Sequence, residues 1–351
     1  MAYTTIDDPS AHFHIQLYSG DSNDNRDITN DANAGDFQPD WLWIKERTST
    51  SSHQLIDSSN GARYALLSDS TGAQDDDQNR VQAFNSDGFQ VGTASTVNAN
   101  GDTYIAYQWK LNAGTTSSDS SGDLTATVQA NQTAGFSVVK FTTDGDDQSI
   151  AHGLGGKPDM IWLKPLTSAN WIVIGKFDET AFNNQYMLLH TTDAGASDGS
   201  YNEPTSTLFS TSNNISPDAA HTAFCFRSIQ GYSRIHHYHG NGNADGTFVY
   251  CGFKPAWVLV KQIDGADNWQ LIDNKRDPNN VAETFFSPDT TAADTTHANN
   301  IKIDLLSTGF KCRGSNSIFN ASGNEYMFMA FAEHPFVTST GTPTTARVGG
   351  P

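Results

Sequence analysis

The sequence lacks the features that indicate a metal-clustered, disulfide-stabilised or membrane-spanning protein. Its three cysteines, Cys225, Cys251 and Cys312, are an odd number in no metal-ligand spacing, so neither a zinc site nor a disulfide framework is predicted. No run approaches the roughly 18 consecutive apolar residues of a transmembrane helix, so membrane insertion is not expected. Residues 1–9 are acidic where a signal peptide needs a basic region followed by an apolar one, so secretion by that route is not expected either.

Basic residues are also scarce. Lysine and arginine together number 20 against 39 aspartates and glutamates, which gives a formal charge of -19, although only 17% of the residues are charged. A chain this acidic repels phosphate backbones and anionic lipid, so we expect no nucleic-acid partner. The aromatic content of 11% is ample for a packed core and excludes global disorder, and 351 residues suffice for two or three domains.

What the sequence does contain is an internal repeat. Residues 38–45, 157–164 and 254–261 each have a proline, a bulky residue two positions later, an apolar run, and a lysine six positions after the proline. An aromatic segment precedes each copy and a second apolar segment follows it, and the same order of elements three times indicates three homologous modules. The predicted boundaries are 1–111 for module 1, 112–229 for a linker (112–122) and module 2, 230–336 for module 3, and 337–351 for an extended C-terminal arm.

Strand signals dominate every module. Short apolar runs rich in Val, Ile, Phe, Tyr and Trp are bounded by Gly, Asn, Asp and Ser, a pattern typical of β-strands. No stretch shows a sustained helical period with capping signals, so helices are expected to be short or absent. We therefore predict an all-β fold of three tandem β-sandwich modules of the jelly-roll or concanavalin-like kind.

One hairpin in each module can be predicted in register. The polar loop after each repeated lysine is flanked by two apolar strands, and each lysine is expected to lie over the aromatic side chain across the hairpin. Pairing across this loop places Asp57 opposite Trp41, Gly175 opposite Met160, and Asp273 opposite Trp257.

The repeated strand is apolar on both faces. Strand alternation places Trp41, Trp43 and Lys45 on one face, and Leu42 and Ile44 on the other. Two apolar faces are expected for a central strand of a two-sheet sandwich. The recurring aromatics and lysines are therefore interpreted as structural.

Candidate catalytic groups are few. The six glutamates occupy no repeated position, and the aspartates lie mostly in predicted turns, where turn chemistry accounts for them. The paired carboxylates of a glycoside hydrolase are not visible, and no nucleophile elbow, phosphate loop or zinc-protease motif occurs. We predict that the protein is not an enzyme, nominate no catalytic or cofactor-binding residue, and expect no cofactor.

Metal binding is left unknown by the sequence. On a strand, His237 and His239 share a face and could act as two imidazole ligands, but no third ligand is visible nearby, which favours a structural role. The acidic loop at 21–27 offers alternating oxygen ligands for calcium. It lacks the glycine and glutamate of an EF-hand loop, so a solvated acidic turn is the favoured interpretation.

Sugar binding is compatible with the composition. Carbohydrate sites use an exposed aromatic face with amide and carboxylate partners, which this chain has in excess. Most tryptophans lie at repeated positions and are predicted to be buried, whereas Trp109, Tyr186 and Tyr201 lie outside the best-matched segments. The sequence does not place these three on a surface, so no binding residue is nominated.

Residues 135–139 and 150–161, followed by Trp171, resemble an uncharacterised module common in marine bacteriophage genomes. Residues 231–253 and 320–333 resemble it as well, and the similarity extends from about Tyr3 to Phe336. The resemblance implies a virion structural protein, a tail-fibre or appendage component, with a distant likeness to concanavalin-like sandwiches. The third module departs from the family pattern at one strand, where three histidines, His236, His237 and His239, replace its usual small residues.

This resemblance sets the functional expectations. The favoured one is a structural virion protein, assembled in the host cytoplasm, that forms a tail fibre or appendage and contacts the host surface. Its partners would be other tail or capsid proteins, with oligomerisation in the particle and a host-surface glycan as a candidate ligand. The alternatives are a capsid decoration or head-fibre protein and a glycan-binding module, and a glycoside hydrolase is disfavoured.

Overall fold

The protein is almost entirely β-structure. A computed structural model describes residues 2–31, 36–175, 177, 185–199, 201–212, 218–296 and 301–344. Within these residues the only helical elements are a one-turn helix, α1 (Ser95–Asn98), and a 3-10 turn at Pro9–Ala11, so the prediction of an all-β fold is confirmed. No helix in the described part of the chain has the length and apolar character needed to cross a membrane.

The described residues form 28 strands. The first nine are β1 (Phe13–Ser19), β2 (Arg26–Ile28), β3 (Trp41–Glu46), β4 (Gln54–Asp57), β5 (Tyr64–Leu67), β6 (Asp75–Asp76), β7 (Val81–Asn85), β8 (Gly88–Val91) and β9 (Thr103–Trp109). The next ten are β10 (Ser117–Asp119), β11 (Ala126–Asn131), β12 (Phe136–Thr142), β13 (Ser149–Ala151), β14 (Met160–Pro165), β15 (Ile172–Gly175), β16 (Gln185–Leu188), β17 (Ala196–Ser197), β18 (Leu208–Ser210) and β19 (Ala220–Phe226). The last nine are β20 (Ser233–His239), β21 (Phe248–Tyr250), β22 (Phe253–Gln262), β23 (Gln270–Asp273), β24 (Thr284–Phe286), β25 (Thr295–Thr296), β26 (Ile303–Leu306), β27 (Gly309–Cys312) and β28 (Glu325–Pro335).

These strands build three large and three small antiparallel sheets. The first large sheet has the order β1-β9-β3-β4-β5-β6 and the third has the corresponding order β20-β28-β22-β23-β24-β25. The second runs β12-β19-β14-β15-β16-β17 and carries an additional hairpin, β10-β11, on the outer edge of β12. The small sheets are β2-β8-β7, β13-β18 and β21-β27-β26.

The predicted hairpin register is confirmed in all three large sheets. The paired residues are Trp41 with Asp57, Met160 with Gly175, and Trp257 with Asp273. The register is specified because a slip of one residue would move every apolar side chain of the strand to the opposite face.

Each large sheet buries both of its faces. In the first, Leu42 and Ile44 pack with Phe89 and Val91 of the small sheet, which gives a sandwich-like core. Corresponding cores lie between the second large and small sheets and between the third pair. The opposite faces of all three large sheets contribute to one common core, so the second apolar face of the repeated strand packs against the other large sheets.

The common core contains all seven tryptophans of the chain. They are at most 1% exposed, and they are Trp41, Trp43, Trp109, Trp162, Trp171, Trp257 and Trp269. The Trp41 ring lies 4.4 Å from Trp109 of its own sheet and 6.0 Å from Trp162 of the second. Trp109 in turn lies 5.9 Å from Trp257 of the third. The prediction that the recurring aromatics are buried is therefore confirmed, and they join the three sheets.

The three large sheets also close into a ring through main-chain hydrogen bonds. We number the contact regions as the first seam (first with second large sheet), the second seam (second with third) and the third seam (third with first). At each seam the donor is the main-chain N–H of the residue before the last strand of one sheet (β6, β17 or β25). The acceptor is the carbonyl of the residue after the central strand of the next sheet (β14, β22 or β3). The three bonds are Gln74 N to Leu166 O (2.9 Å), Gly195 N to Ile263 O (2.7 Å) and Asp294 N to Arg47 O (2.9 Å).

The three repeated lysines lie at these seams. Lys45, Lys164 and Lys261 are 0% exposed, and each ammonium group donates to the carbonyl of the next residue at 2.6–2.9 Å. Lys164 also reaches Thr71 O at 3.4 Å across the first seam. The expected contact with the aromatic residue across the hairpin is wrong: the ring near Lys45 Nζ, at 5.4 Å, is that of Phe286 from the third sheet. Burial lowers the pKa of all three lysines to about 8.

Beside the first and second seams, the chain itself passes from one large sheet to the next. Asp40 accepts hydrogen bonds from the main-chain N–H groups of Leu111 (2.7 Å) and Gly114 (2.7 Å), where the chain passes from the first sheet to the second. Asp159 accepts one from Ser228 N (2.6 Å), where the chain enters the third. The corresponding residue of the third repeat is Ala256, which has no carboxylate to accept such bonds.

The third seam is instead held by a buried ionic network. The Arg276 guanidinium is 0% exposed, and its nitrogens donate to Asp273 Oδ2 at 2.6 Å and Asp294 Oδ1 at 3.0 Å. From the first sheet, Arg47 donates to the second oxygen of Asp294, Oδ2 (2.7 Å), and the Tyr107 hydroxyl donates to Asp273 Oδ2 (2.8 Å), the oxygen that Arg276 also contacts. Charged hydrogen bonds therefore join the third sheet to the first at this seam, beside the N-terminal segment, whose Tyr3 hydroxyl donates to Gly252 O at 2.6 Å.

The predicted linker and C-terminal arm each contain regular contacts. Within 112–122, residues Ser117–Asp119 form β10, which pairs with β11. In the arm, Val337 bridges to Pro343, and Ser339 N donates to Asp7 Oδ1 at 2.6 Å. The remainder of the predicted arm, 345–351, lies outside the described residues.

Candidate functional site

The three histidines lie on β20, the outer edge strand of the third large sheet. His237 is 9% exposed, and its ring centroid lies 6.4 Å from that of His239 on the same face, as strand alternation predicts. His236 Nδ1 accepts the main-chain N–H of His237 at 2.9 Å. Nowhere among the described residues do three His, Cys, Asp or Glu side chains form a metal-holding group. His236 therefore provides a hydrogen-bond acceptor for a main-chain N–H group at the edge of the sheet.

The acidic loop at 21–27 uses its carboxylates within the loop and toward neighbouring side chains. Asp21 accepts from Asn23 N at 2.9 Å, and Asp24 accepts from Gln82 Nε2 at 2.8 Å. Asp27 Oδ1 accepts from the amide of Asn85 at 2.9 Å. Hydrogen-bonded turns of this kind account for the local concentration of aspartates.

A cleft of about 470 Å³ lies at the third seam beside Ala256. Three carboxylates, Asp8, Asp31 and Glu333, line it. Asp8 accepts from Ser10 N at 3.0 Å, and Glu333 lies 2.6 Å from Lys254 Nζ. Asp31 lies 3.1 Å from Lys275 Nζ. Asp8 and Ser10 of the N-terminal segment form part of the cleft wall, and Ala256 stands where the first and second repeats have Asp40 and Asp159.

The aromatics singled out from the sequence are largely buried. Trp109 and Tyr201 are each 1% exposed, and Tyr186 is partly buried with its ring 5.7 Å from that of Tyr201. None of the three forms an exposed stacking face. Phe248 and Tyr250 of β21, at 46% and 51% exposed, are the more accessible rings.

Tyr250 lines a second cleft, of about 330 Å³, which we name the aromatic cleft. Its lining includes Tyr3, Gln230, Ser233, Arg234, Tyr250 and Gly252. The Tyr3 hydroxyl donates to Gly252 O at 2.6 Å, and the Arg234 guanidinium carbon lies 5.7 Å from the centre of the Tyr250 ring. Gly252 has a φ of +84°, and a Cβ there would lie 3.1 Å from the Tyr3 oxygen and 3.4 Å from the Tyr250 oxygen. A bare glycine is therefore what lets the two phenols converge.

The electrostatics of this cleft depend on one cation. Arg234 is the charged residue of the lining. Within the part of the chain that is described, its Nε is buried and has no hydrogen-bond partner, and no carboxylate pairs with it. Burial, together with a hydrogen bond to Tyr250, raises the pKa of Tyr3 to about 12, so this phenol stays neutral and can donate at physiological pH.

The aromatic positions on β21 are specific to the third repeat. In the three small sheets, Ile28, Ile150 and Val249 pair with buried phenylalanines in the same register. The residues flanking these central positions are Asp27 and Thr29 in the first, Ser149 and Ala151 in the second, and Phe248 and Tyr250 in the third. Sequence analysis missed this signal, which is visible as alternating aromatics on one short strand where the other repeats have small or polar residues.

Among curated proteins, none matches this chain at a significant level. The model of one family, described as a domain of unknown function, DUF7483, matches residues 8–335. Because this match covers nearly the whole length, the chain belongs to the DUF7483 family.

Proposed function

We propose that the protein is a non-enzymatic structural component of a bacteriophage virion, the compact head of a tail-fibre or other appendage that contacts the host surface. The observation that carries the proposal is the closure of three large sheets into one ring around a common tryptophan core. A head-to-tail arrangement that closes has no free end for further copies, whereas an arrangement that does not close grows into a filament. A closed body suits the end of an appendage better than a repeating shaft.

The proposal includes the origin of this body in one sandwich unit present three times, at 1–111, 112–229 and 230–336. It is supported by the common strand order of the large sheets and by the matching hairpin registers. The arrangement would place three related lobes around one axis. Such a body could occupy a threefold position in a particle as a single chain.

A structural role is also favoured by what the charged groups do. The carboxylates of the seam cleft each have a hydrogen-bond or ionic partner, and the buried lysines donate to main-chain carbonyls. These contacts hold loops and sheets in place. They would have to break before the same groups could act on a substrate.

The experiment that tests the proposal is antibody labelling of intact phage particles, viewed by electron microscopy. Label at the tail or an appendage would support it, and label spread over the capsid would favour a decoration protein instead. Purified particles without label would contradict both placements. Antibody absorbed beforehand with the purified protein is the matched control.

A further inference from the structure

We propose that the aromatic cleft binds an acidic saccharide, with a pyranose ring stacked on Tyr250 and a carboxylate of the sugar paired with Arg234. Such a ligand would serve the host contact proposed above. Binding would depend on the cleft alone and would not require the protein to be in a particle.

The stacking surface is the exposed face of Tyr250. An exposed aromatic ring offers a large apolar face at little entropic cost, and a sugar ring presents its own C–H face to it. The ring is 51% exposed, although most other large side chains of the third repeat are buried. In the second repeat the corresponding residue is Ala151, which has no ring to offer.

The charge comes from Arg234. In a chain with 39 acidic and 20 basic residues, most arginines have a carboxylate nearby, such as Arg276 beside Asp273 and Asp294. Arg234 has none among the described residues. A guanidinium has a planar fork of donors that matches a carboxylate in two parallel hydrogen bonds. The cleft therefore favours an anionic ligand over a neutral one.

A peptide strand is the alternative occupant of this position, and the structure disfavours it. In the second repeat, β11 covers the corresponding corner, and a Cβ on Gly153 would lie 2.5 Å from Val128 of that strand. On β20 the edge donors already have side-chain partners: Ser228 Oγ accepts Ile235 N at 3.0 Å and His236 Nδ1 accepts His237 N at 2.9 Å. An added strand would have to displace both bonds, since edge pairing needs free N–H groups.

The remaining lining suits hydroxyl groups. Gln230 contributes an exposed amide at the cleft, whereas the Ser233 hydroxyl is held by Ile229 N and Arg227 O and the Tyr3 phenol donates to Gly252 O. A volume of about 330 Å³ is at the small end of ligand pockets, which limits direct contact to one or two sugar rings. Longer saccharides would extend from the cleft into solvent.

The test uses the full chain in calorimetric titrations with short oligomers of galacturonate, guluronate and mannuronate. Each oligomer is compared with its carboxyl-reduced counterpart, which keeps the rings and loses the charge. At least one acidic oligomer should bind roughly tenfold or more tightly than its reduced form, because a hydrogen-bonded ion pair is lost on reduction. Equal binding of both forms, or no binding of any acidic oligomer at millimolar concentration, would overturn the proposal.

Variants assign the interaction to the cleft. Arg234→Ala should abolish the preference for the acidic form, and Tyr250→Ala should weaken binding of both forms by about tenfold. Phe248→Ala removes a similarly exposed ring from the same strand outside the cleft lining and should bind as the parent does. Arg63→Ala, which removes an arginine paired with Asp76, is the charge control. Binding that survives both cleft variants, or that is lost in a control, would contradict the assignment.

Tryptophan fluorescence verifies that each variant retains the common core. Failure in these titrations would not alter the result of particle labelling, which tests location without any saccharide. The two proposals can therefore fail separately.

Discussion

Removal of the Arg276 side chain is expected to be among the most damaging single changes at the third seam. The guanidinium is 0% exposed, lies 4.0 Å from the centre of the Phe286 ring, and donates to Leu271 O at 2.9 Å as well as to two carboxylates. Burial opposes its charge, but Asp273 and Asp294 outweigh this effect and raise the pKa of the guanidinium. The guanidinium thus remains charged at any ordinary pH.

Arg276→Met keeps most of the apolar volume and leaves Asp273 without its ionic partner, whereas Asp294 retains Arg47. Breaking a buried ion pair by removing one member costs about 3–5 kcal/mol, because the other charge stays buried. The double variant Arg276→Met with Asp273→Asn removes that charge as well. The double variant should lose less free energy of unfolding than the single variant, by about 1–3 kcal/mol.

Urea unfolding followed by tryptophan fluorescence measures these differences, since all seven tryptophans lie in the common core beside the seam. Arg63→Met, which breaks an exposed pair with Asp76, should change the free energy of unfolding by less than about 0.5 kcal/mol. A loss below about 1 kcal/mol in Arg276→Met would refute the reasoning. So would a double variant no more stable than the single one.

Three further predictions concern the buried groups. Because the folded pKa of Lys164, about 8, lies below its usual 10.5, the unfolded chain holds more protons between these values and stability rises with pH. Between about pH 7 and pH 9 this lysine should add about 1.4 kcal/mol to the free energy of unfolding. The increase should be smaller by this amount in Lys164→Met, and an equal increase in both proteins would contradict the prediction. Trp41→Ala should cost about 3–5 kcal/mol in the same urea assay, because the ring is 1% exposed and packs against Trp109, and a loss below about 1 kcal/mol would count against a shared core. Burial raises the pKa of the thiols of Cys225, Cys251 and Cys312, so native protein should not react with an aromatic disulfide reagent near pH 8, whereas urea-unfolded protein should react at all three; rapid reaction of the native protein would show that these sites open.

The local pairing of the repeated hairpins was predictable because strand periodicity is strict. Once Lys45 and its loop were located, alternation fixed both the partner of Trp41 and the face of Trp43. The identity of the surface opposite each face was not predictable from alternation. Two arrangements explain a strand with two apolar faces equally well. The strand can be a central strand of one sandwich, or it can be shared between a sandwich and a core common to several sheets.

The position of the lysines shows the same limit. The sequence predicts that each repeated lysine lays its stem over the ring across the hairpin, but Lys164 is 0% exposed and its ammonium group donates to carbonyls on both sides of the first seam. That surrounding is created by a neighbouring sheet far away in sequence. The same reasoning applies to the aromatic cleft, since Tyr3 and Tyr250 are 247 positions apart and meet only because the ring closes.

The third seam also determines how the body would respond to mechanical load. Asp7, which precedes the first sheet, and Ser339, which follows the third, are hydrogen-bonded beside the seam that joins these two sheets. Tension applied between residues before β1 and residues after β28 would therefore act directly on this seam, while the other two seams would transmit the force along the backbone. The ring would open at the third seam, and the ionic network around Arg276 would set the force that the ring withstands.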